Sequence, residues 1–147
     1  MSVIAILLGI ILVRLAIVDA RTLRLPDVYT IPLIIAGLAF NTYLADGLPH
    51  LAIWGAIVGF TLFWAIGTYF FHRKGVEGLG LGDAKLFAAA GAWLGLINLP
   101  YVLLLAASGA IGFTFLRGTA NRPIAFGPWL AGGFWVIFVW TYVLVPV

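Results

Sequence analysis

Six apolar segments, separated by short breaks rich in Gly, Pro, Asn and charged residues, run through the chain from one end to the other. They occupy residues 3–18, 28–44, 51–71, 86–97, 101–116 and 129–145. A helix of about 20 apolar residues crosses the hydrocarbon of a bilayer. Because backbone in lipid must satisfy its own hydrogen bonds, and no strand-period alternation is present, we expect all six segments to be helices. The predicted fold class is all-α, a polytopic membrane protein with six transmembrane helices in a single domain of residues 1–147.

The amino-acid composition is not that of a soluble globular protein. Hydrophobic residues make up 64% of the chain and charged residues 9%, whereas soluble domains carry about 25% charged residues. The first segment lacks a basic start and is followed by a charged loop, so we interpret it as a retained span and not as a signal peptide. Cysteine is absent, which excludes a disulfide framework, a thiol nucleophile and cysteine-based metal sites. We expect no metal and no other cofactor.

Basic residues predict how the chain is oriented. Six of the 8 Lys and Arg residues fall in pairs in the first, third and fifth loops, as Arg21 and Arg24, Arg73 and Lys74, and Arg117 and Arg122. Positive charge favours the cytoplasmic side, so the odd-numbered loops are predicted to be cytoplasmic and both termini to lie outside. The formal charge of +3 then reflects topology, and no nucleic-acid partner is expected because the charges form no patch with stacking aromatic residues.

The acidic residues are few enough to consider one by one. They are Asp19, Asp27, Asp46, Glu77 and Asp83. Asp46 is typical of a turn, Glu77 of a solvated loop, and Asp27 of a helix N-cap. Asp19 ends the first apolar segment and Asp83 opens the fourth, so both are predicted at the cytoplasmic edge of the bilayer. An acid there is a functional candidate, with an N-cap at Asp83 and an interfacial residue at Asp19 as the alternatives.

Glycines recur at helix-packing spacing. Gly55 and Gly59, and again Gly91 and Gly95, are four residues apart within apolar segments. Small residues at this spacing let two helix backbones approach closely in a membrane, so we expect tight helix packing there.

Three motifs carry a family resemblance. GLGDAKL at 80–86, followed by AAGAWLG at 89–95, resembles the glycine-x-glycine-aspartate signature of the type IV prepilin peptidases, membrane aspartic endopeptidases that remove the leader peptides of type IV pilins and related pseudopilins. DARTLRLPD at 19–27 resembles that family's other aspartate motif. RPIAFGP at 122–128 resembles its third motif, with Ala125 where the family commonly has proline.

The resemblance implies that Asp19 and Asp83 are the catalytic pair of an intramembrane aspartic endopeptidase. Two neighbouring carboxylates sharing one proton supply the base and the acid that amide hydrolysis needs. Helix dipoles favour Asp83 as the base and Asp19 as the acid. Gly80 and Gly82 are expected to give the loop conformational freedom and to admit a substrate backbone. Lys85 is expected to be an interfacial anchor or to meet a substrate carboxylate.

The resemblance further implies a prepilin or pseudopilin substrate, cleaved at the cytoplasmic face of the inner membrane. The longer family members carry a cysteine-containing loop associated with methylation, so this chain is expected to be a peptidase-only form. Its oligomeric state is left open.

Two other functions compete with this one. A presenilin-like or signal-peptide-peptidase-like protease shares glycine-x-glycine-aspartate, but the short chain and the motif at 122–128 argue against it. A small proton- or cation-coupled transporter or export-apparatus subunit could use Asp19 or Asp83 as a relay, but the spans hold few other polar residues.

Overall fold

A computed structural model describes residues 1–74, 80–117 and 125–145, and every regular element in these ranges is helical. The six α-helices are α1 Ser2–Thr22, α2 Asp27–Ala45, α3 His50–Lys74, α4 Leu81–Leu94, α5 Leu99–Arg117 and α6 Gly127–Val139. A 3-10 turn at Leu96–Asn98 follows α4, and a π turn at Trp140–Leu144 extends α6. The all-α prediction is therefore confirmed for the described residues. Glu77 and Arg122, on which sequence predictions rested, lie outside them.

Within the described ranges, five helical segments are long and apolar enough to cross a membrane. They are Ser2–Thr22, Asp27–Ala45, His50–Arg73, Leu96–Leu116 and Gly127–Leu144. The predicted fourth span is the exception, because α4 has 14 residues and is roughly 21 Å long, against about 30 Å of hydrocarbon. The chain is a multi-pass membrane protein by the length and composition of its helices. The side on which its termini lie remains a prediction.

The chain divides into two compact units, Met1–Leu23 with Pro100–Val147, and Arg24–Leu99. We describe each unit by itself. The grouping of residues 1–147 into one functional domain remains a prediction.

In the second unit, α4 is a core helix packed against α3 through glycines. A Cβ atom added at Gly91 would collide with the carbonyl group of Gly55, and one added at Gly59 would lie 2.8 Å from the Phe87 carbonyl oxygen. Beside this crossing, the rings of Phe63 and Phe87 stack with centroids 4.4 Å apart. The glycine spacing in the sequence therefore predicted a real backbone-to-backbone contact.

Hydrogen bonds join α4 to α2 on the side of α4 away from α3. Residues 86–94 are all buried, as expected for a helix that is apolar on every face. The Trp93 indole N–H donates to the Leu33 carbonyl oxygen at 2.8 Å. The Asn41 side-chain amide donates to the carbonyl oxygens of Ala92 at 2.8 Å and Trp93 at 2.9 Å. The two Asn41 bonds satisfy carbonyl groups that the last turn of α4 leaves without an intrahelical partner.

In the first unit, α1 presents one continuous stripe of buried side chains at helical spacing. The stripe consists of Ala5, Leu8, Leu12, Leu15 and Asp19. Helix α6 packs against α1, and its Trp135 indole N–H donates to the Ala5 carbonyl oxygen at 3.0 Å. Gly9 leaves room for this indole, since a Cβ there would lie 2.7 Å from Nε1 of Trp135. The last position of an apolar stripe is thus filled by a carboxylate.

Helix α5 also packs against α6 through glycines. A Cβ added at Gly133 would lie 2.8 Å from the Val102 carbonyl oxygen, and one at Gly109 would lie 2.5 Å from the Trp129 ring. These contacts fix the start of α6, where the described part of the third motif lies.

Candidate active site

The Asp19 carboxylate is buried in the last turn of α1. The residue is 5% exposed, and its Oδ2 accepts a hydrogen bond from the backbone N–H of Gly127 at 3.0 Å. A buried carboxylate is retained in a fold when hydrogen-bond donors compensate for its lost hydration. The bond joins the first motif to the third, across 108 residues of sequence.

The start of α6 explains why this bond forms. The N-cap residue is Phe126, which makes no side-chain capping bond. Trp129 and Leu130 donate their N–H groups to the Phe126 carbonyl oxygen at 3.1 and 3.0 Å, and Pro128 has no N–H. The Gly127 N–H is the donor that remains in the first turn, and Asp19 accepts it. Asp19 therefore caps α6 from another helix, as an Asp at the N-cap position would do locally.

This contact alters the electrostatic argument that was based on sequence. A carboxylate at the carboxy-terminal end of α1 is disfavoured by the dipole of that helix. At the same time the Asp19 carboxylate lies at the amino-terminal end of α6, where a negative charge is stabilised. The two helix ends oppose each other, so the dipole of α1 no longer identifies Asp19 as the acid. The division of acid and base roles remains a prediction.

Asp83 lies in the first turn of α4, as the sequence predicted, and is half-buried. Its backbone N–H donates to the Gly80 carbonyl oxygen at 3.1 Å. The same turn contains Gly82, where a Cβ would lie 2.7 Å from the Leu25 Cβ and 3.1 Å from the Leu25 backbone nitrogen.

The expected conformational freedom of Gly80 and Gly82 is not used in this structure. Gly80 has φ −70° and ψ 148°, which any residue adopts, and Gly82 is helical. Gly82 is needed for space, because it lets the first turn of α4 approach the loop before α2. Whether either glycine contacts a substrate backbone remains a prediction.

Lys85 pairs with Asp27, which corrects the predicted role of Asp27. The Lys85 ammonium group donates to Oδ1 of Asp27. Asp27 is the first residue of α2, the N-cap is Pro26, and no side-chain capping bond is made. The capping prediction was wrong because Pro26 already takes the N-cap position, and a cation from α4 lies within reach of the carboxylate. The ion pair ties the beginnings of α2 and α4 together.

Sequence reasoning missed Gly127. The tripeptide Phe126-Gly127-Pro128 holds the signal that could have found it, because it starts a helix without a residue that can cap it. Such a start requires an acceptor from elsewhere. The structure brings Asp19 to Gly127 in one unit, and Lys85 to Asp27 in the other. The pairing of Asp19 with Asp83 remains a prediction.

These features define a class: polytopic helical membrane proteins that carry acidic side chains at helix ends, one of them buried in an otherwise apolar stripe. Comparison with known proteins identifies a family within this class. The sequence profile of the type IV leader peptidase family matches residues 6–116, and the chain belongs to this family. The resemblance inferred from the three motifs is thereby confirmed.

Three similar proteins carry the name prepilin leader peptidase/N-methyltransferase. That of Escherichia coli (strain K12) is 44% identical over 125 residues, which cover 81% of this chain and 55% of the relative. That of Dickeya chrysanthemi is 47% identical over 128 residues, or 82% and 44% of the two chains. That of Aeromonas hydrophila is 43% identical over 143 residues, or 92% and 49%. The chain spans about half the length of these curated relatives. No solved structure shows a significant match to the chain.

Proposed function

We propose that this chain is an intramembrane aspartic endopeptidase that removes the leader peptide of a type IV prepilin or pseudopilin, at the cytoplasmic face of the inner membrane. The observation that carries the proposal is the family match over residues 6–116, which includes both Asp19 and Asp83. Burial of Asp19 supports it, because burying a carboxylate in an apolar stripe is costly for a residue with only a packing role.

The proposed chemistry uses both carboxylates and one water. One carboxylate takes a proton from the water, whose oxygen attacks the carbonyl carbon of the scissile peptide bond. The other, protonated, gives its proton to the departing nitrogen as the C–N bond breaks. A pair of carboxyl groups sharing one proton holds both functions ready in the same site.

The proposed substrate fits a site at the membrane edge. By family resemblance, a prepilin has a basic leader, a glycine at the cleavage junction and then a hydrophobic helix. A peptide bond inside a helix is protected by its backbone hydrogen bonds, and glycine lowers helix stability by about 1 kcal/mol relative to alanine. The junction glycine would therefore help to open the bond to attack.

The test is coexpression with a prepilin, followed by mass spectrometry of the pilin. Asp19→Asn and Asp83→Asn are each expected to lower the cleavage rate by about 10²- to 10⁴-fold, the contribution of a general acid or base. Asp19→Asn is the informative variant at its site, because the amide oxygen of Asn can still accept the N–H of Gly127 and preserve the cap on α6. The same mass spectrum reports whether the new amino terminus is methylated, and we expect it to be unmodified.

Asp46→Asn is the matched control. Asp46 ends α2 with φ 48°, a conformation that Asn also tolerates, and it is exposed. We expect this variant to cleave at the wild-type rate. Normal processing by either Asp19→Asn or Asp83→Asn would refute the carboxylate-pair mechanism.

A further inference from the structure

We propose that Gly127 is the positioning residue of Asp19: its backbone N–H holds the carboxylate, and its lack of a side chain provides the space that the carboxylate occupies. The inference rests on the proposed function insofar as Asp19 is catalytic. The Gly127-Pro128 start of α6 then serves to hold the Asp19 carboxylate in position.

The Asp19 side chain occupies the space beside the Gly127 Cα atom. A Cβ atom added at Gly127 would collide with Oδ2 of Asp19 and would lie 2.7 Å from its Cγ and 3.1 Å from its Cβ. All of these atoms belong to one buried side chain at the end of a packed helix. The carboxylate would therefore have to leave its place, or α6 would have to move away from α1.

The first turn of α6 offers Asp19 a hydrogen-bond donor at Gly127. Pro128, the second residue of the helix, has no N–H, and the N–H groups of Trp129 and Leu130 are bound to the carbonyl oxygen of Phe126. The Gly127 N–H at 3.0 Å is thus the donor that the turn can offer to Asp19. Pro128 also fixes its own φ near the helical value, which holds the turn in the conformation that aims this N–H at the carboxylate.

Contacts away from Asp19 anchor α6. Gly133 packs on the Val102 carbonyl, and Trp135 bonds to the Ala5 carbonyl oxygen. Because these contacts hold α6 in place, the Gly127 N–H at its start has a fixed position. A displacement of about 1 Å in a catalytic group can lower a rate by about a hundredfold, so the position of this N–H, which holds the Asp19 carboxylate, affects the reaction rate.

The activity test compares three glycine-to-alanine variants in α6. Gly127→Ala is expected to lower kcat for prepilin cleavage by about a hundredfold at equal amounts of folded protein, with KM changed by less than about threefold. Gly132→Ala has no heavy atom within 4 Å of the new Cβ and is expected to retain wild-type kcat and to be at least as stable as the wild type. Gly133→Ala, which meets the Val102 carbonyl oxygen at 2.8 Å, disturbs an anchor of α6 but leaves the donor and the space at residue 127 in place, so it should lower thermal stability and lower kcat per folded molecule less than Gly127→Ala does. A wild-type kcat for Gly127→Ala, or an equal loss of kcat for Gly133→Ala, would overturn the inference.

A second arm does not depend on activity. Thermal unfolding in detergent is compared for the wild type, Gly127→Ala, Asp19→Ala and the double variant. Gly127→Ala should lower the midpoint in the wild type, and most of this loss should disappear in the Asp19→Ala background, where the clashing carboxylate is gone. If Gly127→Ala alone does not accumulate, its recovery by Asp19→Ala supports the inference. Equal losses in both backgrounds, or no recovery, would refute it. A wild type that cleaves no prepilin would remove the proposed function, and this cycle would still decide the positioning of Asp19.

Discussion

Replacement of Gly91 by alanine tests the packing of the second unit most directly. The nearest atoms to the new Cβ are the carbonyl oxygen and carbon of Gly55, together with the backbone nitrogen of Ala56 at 2.8 Å. All three are backbone atoms of α3, so no side chain can rotate away. The two helices would have to separate by roughly 1 Å before the contact became an ordinary one, and such a gap forfeits a quarter to a half of the dispersion energy around it.

The expected change in the free energy of unfolding of Gly91→Ala is the sum of two opposing effects. Overpacking costs about 1–3 kcal/mol, and the upper end applies because the obstacle is backbone. Alanine is better than glycine in a helix by about 1 kcal/mol. The free energy of unfolding should therefore fall by about 2 kcal/mol.

Reversible unfolding in mixed detergent micelles measures this free energy. The matched control is Gly112→Ala in α5, because its Cβ would have no heavy atom within 4 Å. This control should gain up to about 1 kcal/mol from helix propensity alone, so the two variants should differ by about 3 kcal/mol. If Gly91→Ala is as stable as Gly112→Ala, the backbone contact between α3 and α4 does not exist as described.

Two further predictions concern the end of α4 and the chemistry. Asn41→Leu should lower the free energy of unfolding by about 1–3 kcal/mol, because it leaves the buried carbonyl groups of Ala92 and Trp93 without their donor. The same unfolding assay measures it, and a cost no larger than that of the exposed substitution Thr42→Val would contradict the capping role of Asn41. Prepilin cleavage in liposomes should follow a bell-shaped pH dependence, since one carboxylate must be ionised and one protonated. It should also persist in a chelator, whereas loss of activity with rescue by zinc would exclude the two-carboxylate mechanism.

Much of the architecture could be predicted from local sequence, because each piece of it depends on short-range pattern. Apolar segments require helices in lipid, and glycines at a spacing of four within them predicted tight helix packing, which the structure shows between α3 and α4. Asp83 was predicted at the start of the fourth apolar segment, and it lies in the first turn of α4. The end of α4 was predicted too late, at residue 97, because Gly95, with φ 76°, ends the helix before the apolar segment ends.

Contacts between distant segments could not be predicted in this way. Asp27 looked like a cap in its own sequence, but a lysine 58 residues away pairs with it. Gly82 looked like a flexible residue, but its role is to leave space beside Leu25. Asp19 was correctly predicted at the end of α1, but the N–H group that donates to its carboxylate belongs to Gly127, 108 residues later in the chain.

The sequence by itself determined that this chain is helical, that it belongs in a membrane, and that Asp19 and Asp83 stand at helix ends. Those properties follow from hydrogen bonding in lipid and from the periodicity of a single helix. Only the tertiary structure decided that the Asp19 carboxylate caps α6 through Gly127, since no local pattern encodes which helix end will lie beside which side chain. Side-chain volume at the contact decides which groups can meet, and at Gly127 the absence of a Cβ atom leaves room for the Asp19 carboxylate.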